Sequence, residues 1–183
     1  MTSQEILKKL SYDAAQETCQ MVDFDAEVQE RLKDMDLLSS PKNALLLGTT
    51  PSEMKAWSIK FGGVPKGISL ERFEKKEGHV GYLYQQDMHD LEFSSGTFDF
   101  VYGSQVLEHS PAPIVALIQI NRVLKKDGGG FFWMPTDEGN RKAKYHYSCF
   151  PEYIWEDLFG KAGFKINNIT KRGNSFGYDV QKI

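Results

Sequence analysis

Residues 84–135 read in order as strand, acidic turn, strand, polar loop, amphipathic helix, glycine stop and strand. Strands separated by single helices pair in parallel, because a long crossover must return the chain to the same end of the sheet. That order calls for an open α/β sheet with helices on both faces and ligands at the carboxyl ends of the strands.

The same alternation begins earlier in the chain. Asn43-Ala44-Leu45-Leu46-Leu47-Gly48 is a short apolar run fit for a strand buried on both faces. Thr50-Pro51-Ser52-Glu53 then brings together an N-cap, a proline at the first helical position and the Glu of a capping box. A helix over 51–61 carries Met54, Trp57, Ile59 and Phe61 and stops at Gly62-Gly63. A strand at Lys66–Ser69, a short helix from Leu70 to Lys76 and a strand at Val80–Gln85 complete the first half.

In the second half Phe98–Tyr102 is a strand, and Ser110-Pro111 opens a helix with Ile114, Leu117, Ile118 and Leu124 on one face. Lys125 and Lys126 suit the end of that helix and Gly128 closes it. Phe131–Met134 is another buried strand, and a helix from Pro151 is stopped by Gly163. Lys165–Thr170 and Phe176–Lys182 form a hairpin around Lys171-Arg172-Gly173-Asn174-Ser175. The expectation is a doubly wound, mostly parallel seven-stranded sheet that ends in an antiparallel hairpin.

Residues 3–38 read as helical throughout, with Ile6, Leu10, Ala14, Cys19 and Val22 as a loose apolar stripe. Asp23 or Asp25 caps a second helix bearing Val28, Leu32 and Met35. With 183 residues the chain is expected to be a single domain over 1–183, an N-terminal helical cap (1–38) set on an α/β core (43–183).

Composition narrows the partners. A net charge of −3 argues against non-specific nucleic-acid binding, which rests on neutralising phosphates, and the one basic run, Arg141-Lys142-Ala143-Lys144, is short. The N-terminal residues lack a signal-peptide core, and no apolar run approaches the ~20 residues needed to span a bilayer. Cys19 and Cys149 fit no metal-ligand or redox spacing and read as free buried thiols, so a cytoplasmic setting is expected.

Asp87-Met88 is followed by Leu91-Glu92-Phe93, then by Ser95-Gly96-Thr97-Phe98-Asp99 and Val106-Leu107-Glu108-His109. A run from Asn121-Arg122-Val123 to Gly128-Gly129 comes next, and Phe150-Pro151-Glu152 and Ala162-Gly163-Phe164 mark the last helix and the entry to the hairpin. In this order and spacing, across about residues 43–183, the chain resembles the class I S-adenosylmethionine (SAM)-dependent methyltransferases, in particular their small-molecule, methyltransferase type 11-like branch.

The resemblance implies SAM as cofactor, held by Gly48 and Thr49, Ser69 and Leu70, Asp87 and Met88, and Ser104 and Gln105, each pair at the end of one strand. Asp87 would accept from the adenine amine while a neighbouring backbone N–H serves a ring nitrogen. The glycine-rich motif is degenerate. With Gly48 as its first glycine, Leu46 stands where an acid belongs, Thr50 and Ser52 replace the next two glycines, and Ser69 takes the place of the ribose carboxylate. Glu71 could stand in for that carboxylate only with the turn rebuilt. Charge-assisted hydrogen bonds contribute roughly 1.5–3 kcal/mol each. Losing both acids would therefore weaken cofactor binding by about two to four orders of magnitude.

Methyl transfer needs alignment more than acid–base groups. A polar nucleophile would profit from a base, and His109 after the fourth strand and His146 in Tyr145-His146-Tyr147 after the fifth are the catalytic candidates. Tyr102, Ser104 and Gln105 are candidate cleft lining. Asp87-Met88-His89-Asp90 reads as a strand-exit turn and no metal site is expected. Asp99 reads as a turn residue, Arg122 and Asp127 as solvated or salt-bridged, and Trp57, Trp133 and Trp155 as core.

Two functions follow. One is a methyltransferase acting on a small molecule by in-line transfer. The other is a non-catalytic protein of that fold that has lost SAM binding and acts through a partner or another ligand. The N-terminal helices are the expected cover of the cleft, with a second subunit (a homodimer) as a further contributor.

Overall fold

The computed structural model describes residues 2–18, 32, 33, 35, 41–70, 79–136 and 144–183. Seven strands form one sheet: β1 (Ala44–Leu47), β2 (Lys66–Ser69), β3 (Tyr82–Gln85), β4 (Phe98–Ser104), β5 (Leu124–Pro135), β6 (Phe164–Arg172) and β7 (Ser175–Lys182). Their order is β3-β2-β1-β4-β5-β7-β6. The first five run parallel, and β7 lies antiparallel between β5 and β6. The doubly wound sheet with its terminal hairpin is therefore as the sequence indicates. Among the described residues four α-helices accompany it: α1 (Ser3–Thr18), α2 (Pro51–Phe61), α3 (Pro113–Val123) and α4 (Glu152–Lys161).

The sheet separates two apolar layers. On one face Leu45, Leu47, Val101, Phe132 and Tyr178 pack with Ala116, Leu117 and Ile120 of α3 and Trp155 and Phe159 of α4. On the other, Leu46, Phe100, Tyr102 and Trp133 pack with Met54, Trp57 and Phe61 of α2, and with Leu32 and Met35. The period-two alternation of β1 thus sends neighbouring leucines to opposite cores. All three tryptophans are core residues, at most 2% exposed.

Several local expectations change. The Ser110-Pro111 pair does not start α3: a 3-10 turn (Leu107–His109) comes first, and Pro113 is the first proline inside the helix. Gly128 does not close α3 either. The helix ends at Val123, and Leu124 already pairs with Phe98 across a bulge in which Asp127 takes φ +61°. The hairpin turn is tighter than expected, since Arg172 and Ser175 already pair and only Gly173 and Asn174 lie between them. Asp99 serves its turn by accepting the Asn43 N–H on its carboxylate, at 3.0 and 3.2 Å.

Arg122, half-buried, has a structural role that a solvated or salt-bridged reading does not capture. Its guanidinium donates to the carbonyls of Leu91 (2.6 Å) and Phe93 (2.7 Å) and to Gln119 Oε1, tying the loop after β3 to α3. Residues 71–76 of the expected helix, Glu71 among them, and Cys19, Asp23, Asp25, Val28 and Arg141–Ala143 lie outside the described residues. Cys149 is half-buried, and its thiol donates to the His146 carbonyl at 3.9 Å. Among the described residues no helix is long and apolar enough to cross a membrane.

Candidate functional site

The carboxyl ends of β1 to β4 converge on a cleft with about 570 Å³ of empty space, open solvent included. Its walls come one strand at a time: Gly48 after β1, Ser69 and Leu70 at β2, Asp87 and Met88 after β3, Gln105 and Val106 after β4. His109 closes one side and Ser11 of α1 another. Gly48, Ser69, Leu70, Asp87, Met88, Gln105 and His109 are thus brought together from separate strands.

Thr49, Ser104 and His146 are not on that wall. Thr49 is fully buried, and its hydroxyl donates to Glu53 Oε2 at 2.7 Å. Ser104 still belongs to β4, where it pairs with Trp133. His146 stands behind His109, edge to face, with ring centroids 4.6 Å apart. Tyr102 is fully buried in the core beside Trp57 and lines nothing.

The first turn is built differently from the expected glycine loop. Gly48 takes φ +57°, and a Cβ there would lie 2.6 Å from Val106 Cγ2, so backbone forms the floor of the cleft at this point. Leu46 is wholly buried against α2 and does not enter the cleft, and neither Thr50 nor Pro51 lines it. Thr50 Oγ1 accepts the Glu53 N–H at 3.3 Å, completing the N-cap half of the capping box. The Glu53 carboxylate, expected to return the bond as in a capping box, instead accepts from the Thr49 hydroxyl. A buried acid, 8% exposed, therefore reaches the β1 turn from α2 although the end of β1 carries none.

Asp87 is held by its neighbours. Its Oδ1 accepts from the His89 N–H (2.9 Å) and from His89 Nδ1 (2.6 Å). His89 Nε2 meets Ser110 Oγ at 2.6 Å, and Ser110 Oγ accepts the Ala112 N–H. These partners are satisfied by one ring proton, on Nδ1, with the serine hydroxyl donating to Nε2. Asp, His and Ser follow the order used by hydrolytic triads, but Ser110 is fully buried and has no path to a substrate. The chain of bonds is positional: through Oδ1 it fixes Asp87 on the cleft wall. The Asp90 N–H to Asp87 carbonyl bond, 3.0 Å, makes the segment the turn that was expected.

Burial, followed by the neighbouring His146, lowers the His109 pKa to about 4, against a smaller opposing effect of the Tyr145 carbonyl. Burial lowers His146 as well. At neutral pH His109 is therefore uncharged and a poor proton acceptor. Its Nδ1 lies 3.2 Å from the Tyr145 carbonyl, which can only accept, so Nδ1 carries the proton and Nε2 the lone pair. Glu108, almost wholly buried, joins this pair: it, His109 and His146 place ligand atoms within 4.8 Å of one another. Sequence reasoning found both histidines but missed Glu108, since the loop 144–150 returns to the 3-10 turn only in three dimensions.

Residues 65–132 match the family described as methyltransferase domain. No curated protein sequence matches the chain. Its fold is that of solved methyltransferases. A SAM-dependent methyltransferase from Aquifex aeolicus is similar over 86% of this chain and 90% of its own, with 15% identity and TM-score 0.67. The 1,6-didemethyltoxoflavin-N1-methyltransferase of Burkholderia thailandensis, solved with bound 1,6-didemethyltoxoflavin and S-adenosylhomocysteine, is similar over 94% of this chain and 84% of its own. Its identity is 16% and its TM-score 0.69. The [4+2]-cyclase SpnF shares the architecture over 79% of this chain and 58% of its own, at 17% identity and TM-score 0.63.

Proposed function

We propose that this chain, whose architecture is that of the class I methyltransferases and whose residues 65–132 match the methyltransferase domain, binds SAM and transfers its methyl group to a small molecule. The observation that carries the reading is the open cleft. Leu46, Thr50 and Pro51, bulky side chains at or beside the degenerate motif positions, do not line it. In the proposed complex the nucleoside lies over Gly48, adenine is read by Asp87 beside Met88, and Ser69 takes a ribose hydroxyl. The methyl acceptor enters beside His109. Displacement at the sulfonium carbon needs alignment and exclusion of water, which the cleft walls and α1 supply.

The second reading, a fold that no longer binds SAM, draws on Ser69. A neutral hydroxyl there replaces a carboxylate that would accept from both ribose hydroxyls. The similarity to a cyclase is a reminder that this architecture hosts other chemistry.

Calorimetric titration with SAM and S-adenosylhomocysteine separates the two. The expected result is a Kd tighter than about 100 μM for at least one of them. Asp87→Ala should weaken it by about 1–3 kcal/mol, roughly 5- to 150-fold. No heat of binding at millimolar ligand would abandon the enzymatic reading in favour of the second.

A further inference from the structure

Glu108 and His109 end the 3-10 turn after β4, and His146 lies on the loop after β5. We propose that these three side chains form a site for a divalent transition-metal ion on the rim of the cleft, with coordination positions left open for an oxygen of the methyl acceptor. The role of that oxygen rests on the methyltransferase reading; the cation site stands on its own geometry.

Two imidazoles and one carboxylate are a donor set suited to zinc, cobalt, iron or manganese(II) rather than to magnesium or calcium, which favour oxygen. The orientation is prepared. Because the Tyr145 carbonyl takes the Nδ1 proton of His109, its Nε2 lone pair is free to ligate, the arrangement in which a carbonyl orients a metal-binding imidazole.

The two segments that carry the ligands are also bonded to each other. The Ser148 N–H donates to the Glu108 carbonyl at 3.0 Å, and Ser148 Oγ donates to the Ser110 carbonyl at 2.7 Å. Glu108 is 1% exposed, and a cation beside a carboxyl group so far from water favours its charged form.

Metal–ligand bonds of about 2.0–2.2 Å put donor atoms roughly 3–3.5 Å apart. From the present spread of 4.8 Å the donors must therefore draw in by a little over an ångström. His146, half-exposed on its loop, can supply that by side-chain rotation.

Three protein ligands leave at least one open position. His109 belongs both to the cluster and to the cleft wall, so the ion lies against the space the acceptor would occupy. A hydroxyl bound there becomes more acidic and releases its proton to water. Its oxygen then bonds to the methyl carbon as the carbon–sulfur bond breaks, and S-adenosylhomocysteine departs as a neutral thioether. The acceptor class is thus a hydroxyl-bearing small molecule.

The test is titration of chelator-treated full-length protein with cobalt(II) alone, followed by visible d–d absorption and calorimetry. One equivalent should bind and give the bands of a low-coordinate nitrogen–oxygen site. His146→Ala and Glu108→Gln should each weaken binding by at least about 10-fold. Adding acetohydroxamate should shift the bands, as an oxygen chelator enters the open positions.

Absence of bands from the folded wild type, or equal affinity in His146→Ala, overturns the cation site. If Glu108→Gln fails to fold, His146→Ala on its outer loop still decides. Bands that ignore acetohydroxamate overturn the acceptor role. SAM titration of the same chelated protein is separate: SAM binding without cobalt binding defeats the metal alone, and the converse defeats the cofactor reading alone.

Discussion

Gly48 is the first of three glycines that a nucleoside-binding turn would carry, and its surroundings explain why it stays when Thr50 and Ser52 stand at the others. Its φ is +57° and a side chain would collide with Val106, itself part of the cleft wall. Thr50 and Ser52 sit at the start of α2, where Thr50 caps the helix and neither residue lines the cleft. Gly48→Ala therefore combines backbone strain with a forced shift of Val106, at a cost of about 1–3 kcal/mol. For a domain of this size that lowers the melting temperature by roughly 2–4 °C per kcal/mol. The alanine variant should melt several degrees below wild type and bind SAM more weakly in the same scan. A wild-type melting curve would show that the turn relaxes without strain.

At the scale of elements the loop after β3 matters most, because it presents Asp87 and Met88 to the cleft yet belongs to no helix or strand. It is secured at two points. His89 joins Asp87 to Ser110 ahead of α3, and Arg122 on α3 donates to the Leu91 and Phe93 carbonyls. Charged donors to carbonyls contribute about 1.5–3 kcal/mol each, less where water reaches them. Arg122→Ala should cost about 2 kcal/mol in denaturant unfolding. It should also speed amide hydrogen exchange across 86–97 while leaving the β6–β7 hairpin unchanged. Lysine at 122 should restore only part, since one ammonium cannot match the fork that reaches both carbonyls. Exchange unaltered in that loop would remove Arg122 from any part in shaping the site.

For the whole molecule, the relation of α1 to the sheet decides who can enter. Ser11 lines the cleft and lies 3.4 Å from His89 Nδ1, and the Tyr147 hydroxyl donates to the Leu10 carbonyl on α1. Leu32 and Met35, by contrast, are buried on the α2 side, where the Lys60 ammonium also reaches the Leu32 carbonyl. The N-terminal region therefore serves two purposes, and we propose α1 alone as the cover. Removing residues 1–18 should leave a folded protein, since Leu32 and Met35 remain. It should weaken S-adenosylhomocysteine binding, chiefly through faster dissociation measured by stopped flow. Undiminished affinity in that truncation would assign the cover to another part of the chain. Removing 1–36 is a poorer test, because the loss of two core side chains would itself cost several kcal/mol.

Sequence alone determined the sheet, its mostly parallel strands and its terminal hairpin, because apolar runs of strand length are strong local signals; the proline start and glycine stop read for α3 were weaker ones, and packing moved that helix to Pro113–Val123. It also identified the strand ends from which Gly48, Ser69, Asp87 and Gln105 meet, since in such a sheet every carboxyl end faces one crevice. Only the folded chain decided which way side chains near those ends turn: Leu46 to the α2 core, Thr49 to Glu53, Tyr102 to Trp57. Each of these depends on which residue across a packed layer offers the better burial or partner, and separation along the chain carries no record of it. The same holds for Glu108, His109 and His146, whose meeting is set by the return of the loop after β5 to the turn after β4, a distance that no local pattern encodes.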